Sequence, residues 1–201
     1  MEARNGPPAT PRTAVVWAVL RQELDRQSRP LAVLDVGGGT GGFAVPLASA
    51  GHRVTVVDSS PDALAALTRR AAEAGVAGRI VAVQGDADAL ARIVAPGSVD
   101  LVLCHSVLEV VDDPQQVARA IAATLRPGGA ASVMVAGRSA AVLRRAAAGQ
   151  LDDAVALLAS PDGSAGPRDA LRRRYDIAAA EELLRSAGLT VEQLHGVRVL
   201  A

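Results

Sequence analysis

Lysine is absent from the sequence, so all 21 basic residues are arginine, and they balance 21 acidic residues to a formal charge of zero. Such a chain has no global field to draw in nucleic acid or an anionic membrane, although a local patch can still act. Aromatics are nearly missing: Trp17, Phe43 and Tyr175 each stand alone in 201 residues. The core must therefore be built from Ala, Val and Leu, and stacking of several bases on aromatic platforms is disfavoured. The single cysteine, Cys104, excludes an internal disulfide and reads as a buried apolar filler. No apolar run approaches the roughly 20 residues of a membrane-spanning helix, and Met1-Glu-Ala-Arg-Asn-Gly6 lacks the apolar core of a signal peptide. The expected setting is the cytoplasm, with no membrane partner and no metal.

What is present suits one α/β domain, with 50% hydrophobic residues. Gly6, Pro7, Pro8 and Pro11 mark residues 1–11 as a loose arm, leaving 12–201 as the domain. A helix fits Thr13–Gln27, where Val16, Leu20 and Leu24 recur every four residues. Leu31–Val36, Val54–Val57, Arg79–Val83, Val99–Cys104 and Ala130–Ala136 read as strands too uniformly apolar to have a wet face. Between them, helices fit Phe43–Ala50, Pro61–Ala74, part of Ala87–Val94 and Pro114–Leu125. This alternation predicts a doubly wound, mostly parallel, Rossmann-like sheet with helices on both faces. Farther on, Ser139–Leu158 and Ile177–Ala187 read as helices, 160–167 as a surface loop and Val191–Leu200 as a strand.

The chemistry concentrates in Leu31-Ala-Val-Leu-Asp-Val-Gly-Gly-Gly-Thr-Gly-Gly42, a strand running into glycines and then a helix. Gly37, Gly39 and Gly42 satisfy the spacing of a dinucleotide fingerprint, a weak signal by itself. Asp35, two residues before the first glycine, would repel a pyrophosphate but attract an ammonium. S-adenosylmethionine offers an ammonium and no phosphate. Asp58 closes the second strand, where a carboxylate can accept from both ribose hydroxyls, and Asp86 follows the third, placed for an adenine amino group. Asp58 alone also reads as a helix-capping or solvated carboxylate, and chance could supply any one of the acids; three at successive strand ends point to a ligand crevice.

Val33-Leu-Asp-Val-Gly-Gly-Gly-Thr-Gly41 and Leu125-Arg-Pro-Gly-Gly-Ala130 resemble the first motif and the turn before the fifth strand of class I S-adenosylmethionine-dependent methyltransferases. Pro11-Arg-Thr-Ala-Val-Val-Trp17, Cys104-His-Ser-Val-Leu-Glu-Val-Val111 and Gly196-Val-Arg198 are similar to the tRNA 5-carboxymethoxyuridine methyltransferase group. That resemblance implies a cofactor site in which Arg12 meets the cofactor carboxylate and Gly37 and Gly38 its methionine part. Asp58 would meet the ribose, Asp86 and Ala87 the adenine, and His105 the other flank; Asp35, Gly39, Gly41 and Ser59 complete the candidate set. Arg12 also reads as a solvated arginine, and His105 as a general base or a structural histidine. The family fold continues to a seventh, antiparallel strand beside the fifth, and this sequence stops at Ala201. The expectation is that the sixth strand moves inward, that a second copy completes the sheet in a homo-oligomer, or that the protein is a shortened one with impaired activity.

The methyl acceptor is expected to be a small molecule or an RNA base. An oxygen nucleophile would need a base, for which His105, Glu109 and Tyr175 are candidates, while Arg198 or Arg174 could hold an acceptor carboxylate. Arg172-Arg-Arg174 is the sole candidate for RNA phosphate contact, but with zero net charge it reads first as a solvated charged segment. A non-catalytic cofactor-binding or assembly subunit and, more remotely, a nicotinamide-dependent oxidoreductase are the competing classes.

Overall fold

The computed structural model describes residues 11–167 and 169–197, with backbone alone at residues 11 and 12. Strands β1 (Ala32–Val36), β2 (Arg53–Asp58), β3 (Ile80–Gln84), β4 (Val99–His105) and β5 (Leu125–Met134) form one parallel sheet in the order β3-β2-β1-β4-β5. The chain winds outward from β1 one way and then from β4 the other. The carboxyl ends of β1 and β4 therefore flank the switch point where such sheets open a ligand crevice.

The helices are α1 (Pro11–Asp25), α2 (Ala44–Ser49), α3 (Pro61–Glu73), α4 (Leu90–Ile93), α5 (Pro114–Thr124), α6 (Arg138–Ala147), α7 (Leu151–Ala159) and α8 (Ile177–Ser186). Two start where local chemistry requires. The Ser60 hydroxyl accepts from the Ala63 amide ahead of α3, and the Asp113 carboxylate accepts from Gln116 ahead of α5, each with proline in the first turn.

Alternation along the strands divides the apolar residues between two cores. Val33, Val54, Val56, Leu101 and Leu103 face α1, α2 and α3, meeting Trp17, Leu20, Leu47 and Leu67. Leu34, Val36, Val57, Val102 and Cys104 face the other way, toward Leu90 of α4, Val117 and Ile121 of α5, and the half-buried Leu183 of α8. At the amino end of the sheet, Asp100 accepts from both nitrogens of the Arg29 fork, from Arg126 and from the Ala32 amide. The Arg29 hydrogen bonds hold this carboxyl well below the usual range, outweighing the effect of its burial.

Four expectations are corrected. The fifth strand begins at Leu125, five residues early, because a register shift between Val99 and Leu101 takes up the turn before Ala130. Ser139–Leu158 is two helices, since Gly149 at φ +75° ends the first turn of chain reversal after α6. β3 does have a wet face: it lies at the edge, the adjoining α4 has a single turn, and Val81 is 58% exposed. Residues 191–197 form no strand. Leu189 packs on the α5 side and Val197 on the α1 side, so this segment passes from one face to the other, with Glu192 reaching Arg26 of α1. Among the described residues, β5 pairs only with β4. The expected arm at residues 1–10 and the end of the expected strand, 198–201, lie outside the described residues.

Candidate cofactor site

The parity that builds the cores also aims the polar strand ends. Asp35 follows Val33, Asp58 follows Val56 and His105 follows Leu103, each by two residues, so all three project onto the face carrying α1 and α2. The turn 37–42 sits at that corner. Gly37, at φ +68°, donates its amide to Val57 O at 2.7 Å, and a Cβ there would lie 2.5 Å from a methyl of Val107. Gly38 is required for another reason: its Cβ would lie 2.5 Å from Asp35 Oδ2. The Gly39 amide donates to Asp58 Oδ2 at 2.8 Å, and the Gly41 amide to Gly38 O at 3.0 Å.

Asp35 is 3% exposed, and its Oδ2 has no hydrogen-bond partner among the described residues. Burial pushes its carboxyl up to about 7, and the charge of Asp58 acts in the same direction. A buried acceptor with nothing to accept from is costly, and a cationic donor beside it would relieve that cost. Asp58 is differently placed: Oδ2 takes the Gly39 amide and Oδ1 the Ser60 amide at 2.9 Å, fixing the carboxylate while a second lone pair on each oxygen stays available. Ser60 caps α3, and Ser59 is exposed beside Asp58. Asp86 is exposed at the carboxyl end of β3, preceding a 3₁₀ turn that buries Ala87.

His105 closes the other side. Its Nε2 lies 2.9 Å from Ser132 Oγ on β5, and its ring meets Phe43 edge-on at 4.9 Å. Phe43 in turn lies 5.1 Å from Trp17 of α1, so two of the three aromatic side chains line up behind this histidine. The position of Phe43, directly after the glycines, was a sequence signal. Ser132 had none, because strand register decides its contact.

The remaining candidates serve the loop between β4 and α5. Glu109 is 2% exposed, and its Oε1 accepts from the Ala136 amide at 3.1 Å. The Tyr175 hydroxyl donates to Leu108 O at 3.0 Å, and burial pushes the phenol up to about 12, so it offers no base near neutral pH. Arg174 is buried with its fork on Asp169 and is not available to hold an acceptor. Arg173 donates to the carbonyls of Leu108, Val111 and Asp112, and Arg172 pairs with Asp112. Arg172 and Arg173 are thus a clamp on residues 108–112, a role that adjacency in sequence does not reveal. The side chain of Arg12, and Arg198 altogether, lie outside the described residues.

A glycine turn at the switch point of a parallel sheet, beside a buried acid, defines a Rossmann-like fold. A family model described as a methyltransferase domain matches residues 33–129. The tRNA 5-carboxymethoxyuridine methyltransferase of Escherichia coli (strain K12) is 34% identical over 147 residues, 70% of this chain and 54% of that protein. The ubiquinone biosynthesis O-methyltransferase of Xanthomonas euvesicatoria pv. vesicatoria (strain 85-10) is 34% identical over 165 residues, 82% of this chain and 65% of that protein. The crystal structure of the [4+2]-cyclase SpnF superposes with a TM-score of 0.65 at 23% identity, covering 92% of this chain and 60% of that one. Residues 33–129 thus match a methyltransferase domain, and the fold is that of the class I S-adenosylmethionine-dependent methyltransferases. The chain spans between half and two thirds of the length of these curated relatives.

Proposed function

We propose that this protein binds S-adenosylmethionine in the crevice beside Asp35 and transfers its methyl group to a small molecule or an RNA base. The observation that carries the reading is the buried Asp35 carboxylate with an unbonded oxygen, reached only because Gly38 has no Cβ. That cradle fits an ammonium and opposes a pyrophosphate, which argues against a nicotinamide cofactor. Asp58 would accept from the ribose hydroxyls, Asp86 and Ala87 would flank the adenine, and the amides of the glycine turn would approach the amino-acid part.

The bound cofactor supplies an electrophilic methyl on a sulfonium, with its own leaving group. The protein has to align the acceptor and exclude water. Phe43 and Trp17 supply a dry wall on one side. His105, held by Ser132, is the one titratable candidate base left once Tyr175 and Glu109 are committed to the loop. The relatives' names support either an RNA base or a small molecule methylated on oxygen, and SpnF shows that this fold also carries other chemistry. Cys104, buried and with its thiol pushed up to about 12, is inert, which accords with a cytoplasmic setting.

Calorimetry with S-adenosylhomocysteine and with NADH tests the cofactor. Tight binding of the first and none of the second is expected, and the reverse overturns the reading. Turnover is tested with labelled cofactor and cell extract, with and without ribonuclease. Label lost on ribonuclease treatment assigns an RNA acceptor, surviving label a small one, and binding without any labelled product a non-catalytic role.

A further inference from the structure

The turn 37–42 holds five glycines and one residue with a side chain, Thr40. Gly37, Gly39 and Gly41 all sit at positive φ, and glycine gives up more conformational freedom on ordering than any other residue. Such a turn keeps one shape only where something outside it supplies restraint. Its inner half is pinned to the sheet, by the Gly37 amide on Val57 O and the Gly39 amide on Asp58 Oδ2. Its outer half is held from α3.

Helix α3 is a firm mount for that purpose. Leu64, Leu67 and Ala71 bury one side of it in the core, and Leu67 fills the space beside Gly41, where a Cβ would lie 2.3 Å from its methyl. Three residues on, and so on the neighbouring surface of the helix, the exposed Arg70 reaches back to the glycines. Its Nη1 donates to Thr40 O at 2.7 Å and lies 3.3 Å from Thr40 Oγ1. One guanidinium therefore holds both the carbonyl and the only side chain of the turn, through a charge-assisted bond. The adjacent Arg69 turns instead to Glu73 of its own helix, at 4.0 Å.

We propose that Arg70 is a positioning residue for the cofactor: by gripping Thr40 it keeps the glycine turn in the shape that leaves Asp35 open to the crevice. The link is steric. Gly38 stands so close to Asp35 that one added carbon would meet Oδ2 at 2.5 Å, so a turn that shifts toward the sheet covers the oxygen that receives the ammonium. The same shift disturbs the Gly39 amide that fixes Asp58. The hydrogen bonds of Arg70 go to Thr40 and to neither acid, so its effect passes through the turn. This role rests on the reading of the crevice as a cofactor site.

Amide hydrogen exchange on the free, full chain reads the turn directly, and calorimetry with S-adenosylhomocysteine reads the site. Arg70→Met keeps the apolar stem and loses the donors. It should quicken exchange at the bonded amides of Gly39 and Gly41 and weaken binding by about twofold to tenfold. Arg70→Lys keeps a donor for the carbonyl and should recover most of both effects. Arg69→Met removes the same charge one residue away and should match wild type. Unchanged exchange or unchanged affinity in Arg70→Met overturns the proposal, and so does exchange quickened evenly across the sheet, which would make Arg70 a support of the whole fold. Affinity lost with exchange unchanged would overturn it in favour of a direct contact with the cofactor. A wild-type protein that does not bind S-adenosylhomocysteine overturns the cofactor reading itself, while exchange in Arg70→Met still decides whether the arginine holds the turn.

Discussion

Single carboxylates set the balance between stability and binding. Asp35 ionises near 7 in the folded protein against 3.8 for the ordinary group. A raised folded value means that the charge destabilises the fold: the cost is absent below the ordinary value, grows as pH rises and is complete above about 7. Three pH units correspond to about 4 kcal/mol. Asp35→Asn should therefore raise the melting temperature at pH 8 and remove most S-adenosylhomocysteine affinity. Wild-type affinity should fall as pH drops below about 7, by up to about tenfold per unit, and the variant should show no such slope. Calorimetry across that range checks both; an Asn variant that binds as well as wild type would detach the ligand from Asp35. Gly38→Ala should weaken binding as well, since the added methyl lands against the same oxygen.

Among the elements, the amino ends of β1 and β4 and the turn opening β5 are tied by one acid. Asp100→Ala leaves two arginines and the Ala32 amide without their acceptor. Both arginines reach solvent, which screens the pairs, and a loss of about 1–3 kcal/mol is expected. The folded value of Asp100 is depressed, so this contribution is present above the ordinary carboxyl range and lost as pH falls through it. Denaturant melts at pH 7 and pH 3 should differ more for wild type than for the variant. Across the sheet, Arg173→Ala removes a donor from the carbonyls of residues 108, 111 and 112, leaving the first with Tyr175. Hydrogen exchange should quicken in the loop before α5 while β1 and β2 stay protected. Equal quickening everywhere would mean that the clamp supports the whole fold.

For the molecule as a whole, Trp17 on α1 touches Phe43 and, through it, His105 at the crevice. Filling the crevice with S-adenosylhomocysteine should change the emission of this lone tryptophan, and a flat titration beside positive calorimetry would separate α1 from the site. By itself the sequence determined the alternation of strands and helices, the glycine turn and the three acids at strand ends, because short uniformly apolar runs, proline-opened helices and glycines at a close approach are local requirements. Only the tertiary structure decided which contacts distant residues make. It gave Tyr175, Arg172 and Arg173 to the loop at 108–112, set Ser132 beside His105 through the β4–β5 register, and left residues 191–197 out of the sheet. Those outcomes depend on which partner wins each donor or acceptor in space, and hydrogen bonds between residues 27 to 67 positions apart leave no periodic trace in the chain.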